Sequence, residues 1–347
     1  MTDKTVSIIA PIYNEQRYIS DFLNSILEQD YPHELTEVLL VDGMSSDGTR
    51  DIIADFTAQH PHFHLLDNDK RTVPYALNTG IKAAKGEVIV RIDAHCKYPK
   101  TYVSRLVKEL FRLDADNVGG VWRTNPAKDT TGCHAIAIGS SHWFGVGNSA
   151  HKIGINTYKE VDTVPFGCYR RDVFDRIGLF DEELTRNQDD EFNARLINAG
   201  GKIFLVPIAI DYTARDSMCK MCKMYYQYGL FKPLVNKKLG HPATLRQFFP
   251  LLFVIGLILG IIMTAAYIAT GYLFFNVATI IFSLVMLLYF GLGATIGFKH
   301  AKRLGRPMLT IVMPITFLLI HISYGFGYLK GIWKVVFNKD FNVKYNR

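Results

Sequence analysis

Val88-Ile89-Val90-Arg91-Ile92-Asp93-Ala94-His95 is the stretch on which the reading of this chain turns. Its opening residues are mostly β-branched and apolar, the composition of a short buried strand. Its end carries two side chains able to ligate a metal, Asp93 and His95. Side chains alternate along an extended backbone, so positions i and i+2 point the same way. Asp93 and His95 therefore share one side and Ala94 turns to the other. A strand-to-loop turn closed by an aspartate accounts for the same residues, so the surrounding sequence has to decide.

The chain before this stretch repeats one pattern. Val6–Ala10 reads as a buried strand stopped by Pro11, followed by Ile12-Tyr13-Asn14-Glu15. A helix over 18–29 carries Ile19, Phe22, Leu23 and Ile26 on one stripe. Glu37–Val41 is a second strand closing on Asp42-Gly43, and the polar turn Ser45–Thr49 opens a helix over 50–59. Phe63–Leu66 is a third strand ending at Asp67-Asn68, before a helix from Pro74 to Ala84. Val88–Ile92 is the fourth. Strands alternating with helices at this spacing imply an α/β fold with a mostly parallel sheet. Such sheets bind ligands beyond the carboxyl ends of their strands. Here those ends hold Tyr13 and Glu15, Asp42, Asp67, and Asp93 with His95, which points to one shared site. No glycine-rich phosphate loop follows the first strand, which argues against a nucleotidyltransferase. A bound phosphate then needs another counter-charge, such as a divalent ion at Asp93 and His95 with Arg71 alongside.

Composition divides the chain. It has 347 residues and a formal charge of +7. Up to about Gly240 it reads as a soluble α/β protein, and beyond that come long uncharged apolar runs. Met1-Thr2-Asp3-Lys4 leads straight into a strand pattern without a secretory signal, so the first part is expected in the cytosol with reduced thiols. Cys219 and Cys222 form a lone Cys-x-x-Cys, read as free thiols on a helix. The positive excess gathers around the apolar runs, which suits an anionic membrane face and not nucleic acid.

Ser217–Leu239 mixes Met, Tyr and Phe with lysines and reads as a helix at a membrane surface; a core helix with a basic outer face is the alternative. Phe248–Ala269, Tyr272–Phe298 and Met308–Leu329 are long enough to span, the last interrupted by Pro314, His321, Gly325 and Gly327. The flanking basic segments all favour the cytoplasm, which conflicts with three crossings. The expected division is an α/β domain over 1–216, an interfacial segment over 217–247, a transmembrane region over 248–329 and a basic tail over 330–347. Three further expectations concern the middle of the chain. The Gly-, Ser- and His-rich stretch 130–161, with His134, His142 and His151, reads as a mobile loop. Arg170 and Arg171 read either as phosphate contacts or as a solvated helix start. Ile203–Pro207 reads as an edge strand.

Four ordered motifs carry a family resemblance: Ile9-Ala10-Pro11-Ile12-Tyr13-Asn14-Glu15, Val41-Asp42-Gly43-Met44-Ser45-Ser46-Asp47-Gly48-Thr49, Ala76-Leu77-Asn78-Thr79-Gly80-Ile81, and Arg91-Ile92-Asp93-Ala94-His95. In order and spacing they resemble the family 2 glycosyltransferases, over roughly residues 5–240. Val161–Gly167 and Asn187–Glu191 are similar to the branch that builds bacterial exopolysaccharides of the succinoglycan type. The resemblance implies a GT-A fold binding a UDP-sugar. By the match, Pro11, Tyr13 and Glu15 flank the nucleoside, Asp42 bonds the uracil or ribose, and Arg71 lies near the base or diphosphate. Asp93 and His95 stand where the family usually has Asp-x-Asp. Imidazole is a competent Mn²⁺ ligand and a less usual one for Mg²⁺, so either metal stays open. Asp189, six residues before Arg195, takes the place of the general base, with Asp190 as the neighbouring alternative; Gln188 replaces the family's Glu. Gln227–Lys232 lacks the Arg-Trp of the processive synthases, which implies addition of one sugar. The expected activity is that of an inverting transferase in the cell membrane, multi-pass, with its catalytic domain cytoplasmic. It would move a hexose, glucose first, from a UDP-sugar to a lipid-linked oligosaccharide in exopolysaccharide or cell-surface polysaccharide synthesis. A polyprenyl-phosphate sugar synthase and a noncatalytic sugar-nucleotide sensor or scaffold are the alternatives.

Overall fold

The computed structural model describes residues 3–341. Met1, Thr2 and the last residues of the basic tail, from 342, lie outside the described residues. The chain forms two compact units. One takes in residues 3–123 and Ser149–Thr213, the other Thr124–Asn148 and Ala214–Asp340.

The first unit is built on one sheet. Its strands are β1 (Val6–Ile12), β2 (Thr36–Asp42), β3 (Phe63–Asp67), β4 (Val88–Arg91), β5 (Cys96–Lys97), β6 (Asn117–Asn125), β7 (Lys159–Glu160), β8 (Cys168–Arg170) and β9 (Ile203–Thr213). Their order is β3-β2-β1-β4-β8-β6-β9-β5, with β7 also on β9. The pairs β1/β2, β1/β4 and β2/β3 are parallel, as βαβ connections require. Beyond β4 the sheet continues antiparallel, through β4/β8, β6/β8 and β5/β9. Alternation along β1 divides the core: Ile8, Ala10 and Ile12 join Phe22, Leu23 and Ile26 on one face, and Ile9 joins Leu77, Ile81 and Phe192 on the other. The helix Ile19–Leu27 buries the expected stripe of Ile19, Phe22, Leu23 and Ile26. Each such side chain contributes about 1.5–3 kcal/mol of burial.

The structure corrects two of the readings for the middle of the chain. The strand from Ile203 is not an edge: it runs to Thr213 and lies between β6 and β5. Pro207 misled the reading because proline donates no backbone hydrogen bond and usually marks an edge. Arg170 and Arg171 are structural ties. Arg170 donates to the Ala115 carbonyl (2.8 Å) and pairs with Asp114 (3.0 Å), while Arg171 donates to the carbonyls of Ala84 (2.5 Å) and Gly86 (3.2 Å).

The second unit is helical. The stretch read as a mobile loop is folded in part into the helices Thr131–Gly139 and Trp143–Val146. Ala135 and Ile136 are buried, and the ring of Phe144 meets that of Phe317 edge-on at 4.9 Å. Gly139 and Gly145 let the segment fold tightly, because a Cβ on Gly145 would overlap the Gly139 carbonyl. Among the described residues three helices, Leu245–Thr270, Leu273–Leu304 and Leu309–Val336, are long and apolar enough to cross a membrane. Pro314 and the glycines do not interrupt the last of them. Helix Met218–Leu239 buries Met221, Tyr225, Leu230 and Phe231 within the unit. Its backbone meets that of Leu309–Val336 directly: a Cβ on Gly229 would overlap the Tyr324 carbonyl, and one on Gly327 the Tyr226 carbonyl. Asn236 donates to the Tyr328 hydroxyl at 2.9 Å on the same pair of helices.

Gly327→Leu should therefore force these two backbones apart and lower the thermal unfolding temperature of the detergent-solubilised protein by several degrees, since overpacking costs about 1–3 kcal/mol or more. Gly256→Leu, at a site with nothing within 4 Å of the added carbon, should leave the transition where it is.

Candidate functional site

The loops after β1 and β2 are stitched to each other. The Asn14 amide donates to Ser45 Oγ (2.8 Å), Glu15 to Thr49 Oγ1 (2.8 Å) and Gln16 to Asp47 Oδ2 (3.1 Å). In return Ser46 donates to Asn14 Oδ1 at 2.9 Å. Asp47 also accepts from the Thr49 backbone, and these bonds hold its carboxyl below the ordinary range against the opposing effect of burial. Asn14 and Met44 sit at φ +53° and +59°, the left-handed turns that this close meeting of loops needs. The polar residues of the second motif thus build the loop. They hold Pro11, buried, and Tyr13, half-buried, beside the end of β2. Gly43 is part of the fit, because a Cβ there would press on the Tyr13 ring at 3.2 Å.

Asp42 is fully buried at that end. Its carboxylate accepts from the Ser45 hydroxyl (2.5 Å) and amide (3.0 Å) and from Arg50 (3.2 Å). Arg50 donates its other terminal nitrogen to Asp67 at 2.6 Å. One guanidinium therefore neutralises two strand-end carboxylates. Arg71 lies on an exposed turn at φ +58°, and its side chain makes no hydrogen bond or ion pair among the described residues.

The strand β4 ends at Arg91, and a turn carries Asp93, Ala94 and His95. The expected alternation survives in it. Ala94 is buried, whereas the side chains of Asp93 and His95 are 17% and 22% exposed. His95 Nδ1 lies 3.9 Å from Glu15 Oε1. Among the described residues no cluster of three or more His, Cys, Asp or Glu side chains could hold an ion by itself. Asp93 and His95, both partly open, could serve as two ligands of an ion that draws the rest from outside the protein.

Asp189 stands in the first turn of helix Gln188–Asn198, after Asn187 at φ +60°. Arg91 is buried and spans the gap between the two motifs. Its Nη1 donates to Asp189 Oδ1, and its Nη2 lies 3.6 Å from Asp93 Oδ1. Burial pushes the Asp189 carboxyl up, and the Arg91 guanidinium opposes that shift. Asp190 is half-buried beside it. The neighbouring charged residues serve the fold. Glu191 pairs with Arg195 through both oxygens (2.6 and 2.9 Å), and Arg195 also donates to the carbonyls of Ile177 and Leu179. Asn193, fully buried, donates to Thr163 Oγ1 (2.8 Å) and the Val164 carbonyl (3.1 Å), and accepts from Asn117 at 2.9 Å.

Sequence reasoning passed over Arg50, Arg91 and Asn193. Arg91 had a signal: Val88-Ile89-Val90 alternates faces of a buried strand, and the next position carries a charge. An aromatic wall also went unread. The rings of His95 and Tyr212 meet edge-on at 5.8 Å, Tyr212 stacks on Trp122 at 4.3 Å, Trp122 on Phe166 at 5.6 Å, and Arg91 lies over Phe166 at 5.4 Å.

The chain is similar to known glycosyltransferases in sequence and in fold. The profile of Glycosyl transferase family 2 matches residues 7–178. A Methanococcus voltae protein, dolichyl N-acetyl-alpha-D-glucosaminyl phosphate 3-beta-D-2,3-diacetamido-2,3-dideoxy-beta-D-glucuronosyltransferase, is 29% identical over 95% of this chain and 97% of its own. The succinoglycan biosynthesis protein ExoA of Rhizobium meliloti is 29% identical over 72% of this chain and 76% of its own. Among solved structures, the mannosyltransferase PcManGT from Pyrobaculum calidifontis, in complex with GDP-Man and Mn²⁺, superposes with a TM-score of 0.57. It is 21% identical, over 92% of this chain and 87% of that one, and so speaks for the fold.

Asn193→Ala should destabilise the protein by about 2–4 kcal/mol, because it leaves Asn117, Thr163 and the Val164 carbonyl short of buried partners. Chemical denaturation followed by tryptophan fluorescence measures the loss; an unchanged midpoint would remove Asn193 as the anchor of the helix that carries Asp189.

Proposed function

This chain belongs to the family 2 glycosyltransferases, and from that premise we propose that it is a membrane-anchored inverting enzyme that moves a hexose, glucose as first choice, from a UDP-sugar onto a lipid-linked oligosaccharide. The observation that carries the proposal is the joining of Asp93 to Asp189 through Arg91, at the carboxyl ends of the central strands.

Sugar transfer from a nucleoside diphosphate makes two demands. The acceptor hydroxyl must lose its proton as it attacks the anomeric carbon, and the diphosphate must leave with its charge met. Asp189 answers the first. One oxygen is held by Arg91, and the carboxylate is partly open, so the other oxygen can take the proton. Burial shifts this carboxyl toward a pKa better matched to a general base. The donor's nucleoside lies against Pro11, Tyr13 and Glu15, with Asp42 at the base or ribose. Arg71, unpaired in the structure's described residues, is free to meet the donor's phosphates. Asp93 and His95 are the residues that would hold a divalent ion, and the chemistry it would supply is Lewis-acid neutralisation of the leaving group. With base and leaving group on opposite faces of the sugar, a single displacement turns an α-linked donor into a β-linked product.

The lipid-linked acceptor draws support from two sides. The Methanococcus relative is named for transfer to a dolichyl-phosphate-linked sugar, and this chain has three helices suited to a bilayer. That name also favours a saccharide-bearing lipid over the bare carrier of a polyprenyl-phosphate sugar synthase. Confinement of enzyme and acceptor to one membrane raises their effective concentration. The basic segments flanking the helices favour the cytoplasm, which supports a catalytic unit on that side. A sensor or scaffold would need no base at Asp189.

Two measurements test the proposal. UDP with Mn²⁺ should raise the unfolding temperature of the solubilised protein, by the equivalent of about 2.7 kcal/mol at 100 times its dissociation constant, and GDP, CDP and ADP should not. Asp189→Asn should keep that stabilisation and lose transfer by about 10²–10⁴-fold, with a smaller loss for Asp190→Asn. A shift with GDP in place of UDP would replace the donor, and full transfer by Asp189→Asn would remove the base.

A further inference from the structure

Arg91 stands where the fold asks for an apolar side chain. Along β4 the faces alternate: Val88 and Val90 enter the core shared with Leu106, and Ile89 enters the one shared with Tyr169 and Phe192. Arg91 follows Ile89 by two positions and so falls on its face, in a strand paired with β1 through Ile9. Its amide donates to the Gly167 carbonyl at 2.9 Å, which fixes its backbone. A guanidinium at such a place is costly to desolvate, and well-packed apolar residues often replace buried ion pairs at no loss of stability. Stability alone does not account for it.

The surroundings show what the charge is held for. One terminal nitrogen meets Asp189 Oδ1 and the other faces Asp93 Oδ1 at 3.6 Å. The guanidinium carbon lies over the Phe166 ring, 5.4 Å from its centroid. Phe166 holds that place at φ +52°, a conformation that aromatic residues rarely adopt. Nε is buried and has no hydrogen-bond partner among the described residues. The fork is thus spent on the two carboxylates at its end and is clamped from the side by a strained aromatic residue.

We propose that Arg91 is the positioning residue of the transfer reaction: it holds Oδ1 of Asp189, presents Oδ2 to the acceptor hydroxyl, and ties the base to Asp93 on the donor side. This rests on Asp189 being the base. The consequence is that the base is held from the central strand, beside the donor side, by one rigid group. The helix that carries Asp189 does not set that geometry alone.

The test uses full-length protein in detergent, with UDP-glucose and Mn²⁺ and with water as the acceptor, read as UDP release. Arg91→Met should lower kcat about 100-fold and change the KM for UDP-glucose less than three-fold. Calorimetry should give a UDP affinity in Mn²⁺ within three-fold of the unsubstituted protein. Arg91→Lys, which keeps a donor for one carboxylate, should recover about ten-fold of the lost kcat. The double variant Arg91→Met/Asp189→Asn should be no slower than Asp189→Asn, because Arg91 acts through that carboxylate. An Arg91→Met protein with unchanged kcat, or one whose loss repeats in full on the Asp189→Asn background, overturns the proposal and leaves Asp189 as the base. An Asp189→Asn protein that turns over at the normal rate overturns the base itself, and the proposal with it. If Arg91→Met does not fold, Arg91→Lys decides: folded, with normal UDP affinity and unchanged kcat, it counts against positioning by a two-pronged donor.

Discussion

Carboxylates crowd the strand ends of this sheet, and like charges this close repel unless a cation lies between them. The first unit meets that constraint twice in the same way. Arg50 lies between Asp42 and Asp67, and Arg91 between Asp93 and Asp189. The two bridges differ in depth. The Arg50 side chain is 35% exposed, so its field is screened and a ligand can compete for its partners. That of Arg91 is 5% exposed, in a setting where a lost partner is expensive. The first bridge can therefore give up a partner at less cost than the second.

Much of this architecture is legible in the residues before any coordinates. The parallel core follows from strand–helix alternation, and the burial of Ile19, Phe22, Leu23 and Ile26 follows from their spacing. Asp42 and Asp93 announce themselves as polar residues where apolar strands stop. What escapes notice has a common physical cause. Arg50, Asn193 and the Trp122–Tyr212 stack act across distances in sequence that no local pattern spans. β9 is misread because a single proline outweighs a run of alternating apolar residues, and a long central strand tolerates it. The stretch 130–161 is rich in glycine, which signals flexibility when read alone. In the fold Gly145 marks a close backbone contact with Gly139, and Gly139 packs on the side chains of Thr316 and Ile320.

The same lesson holds for the second unit. Gly229 and Gly327 weaken a helix if propensity is counted alone. Here they allow helix Met218–Leu239 to lie backbone against backbone on Leu309–Val336. In a bilayer, where apolar side chains gain little from leaving lipid, such close approach is a main source of helix association. Lys232 is nearly buried in the first of these helices, and Pro233 is buried beside it, so this is a packed element with a basic outer margin. Its lysines at 237 and 238 stand at the helix end, where the dipole favours them.

Local costs gather around one point of the first unit. Arg91 is a charge on an apolar face, Phe166 holds a left-handed backbone that suits it poorly, and Asn187 holds another at the start of the helix bearing Asp189. Asparagine tolerates that conformation and phenylalanine does not, so the second cost is the more telling. A sequence under selection for stability alone would relax each of them with an ordinary residue. They persist together because the surrounding packing, from Asn193 with its three partners to the Arg195–Glu191 clamp, over-determines this corner of the fold. Strain of that kind is a mark of places where a side chain is aimed, and the side chain that Arg91 holds here is the carboxylate of Asp189, which is the reason for proposing it as the base.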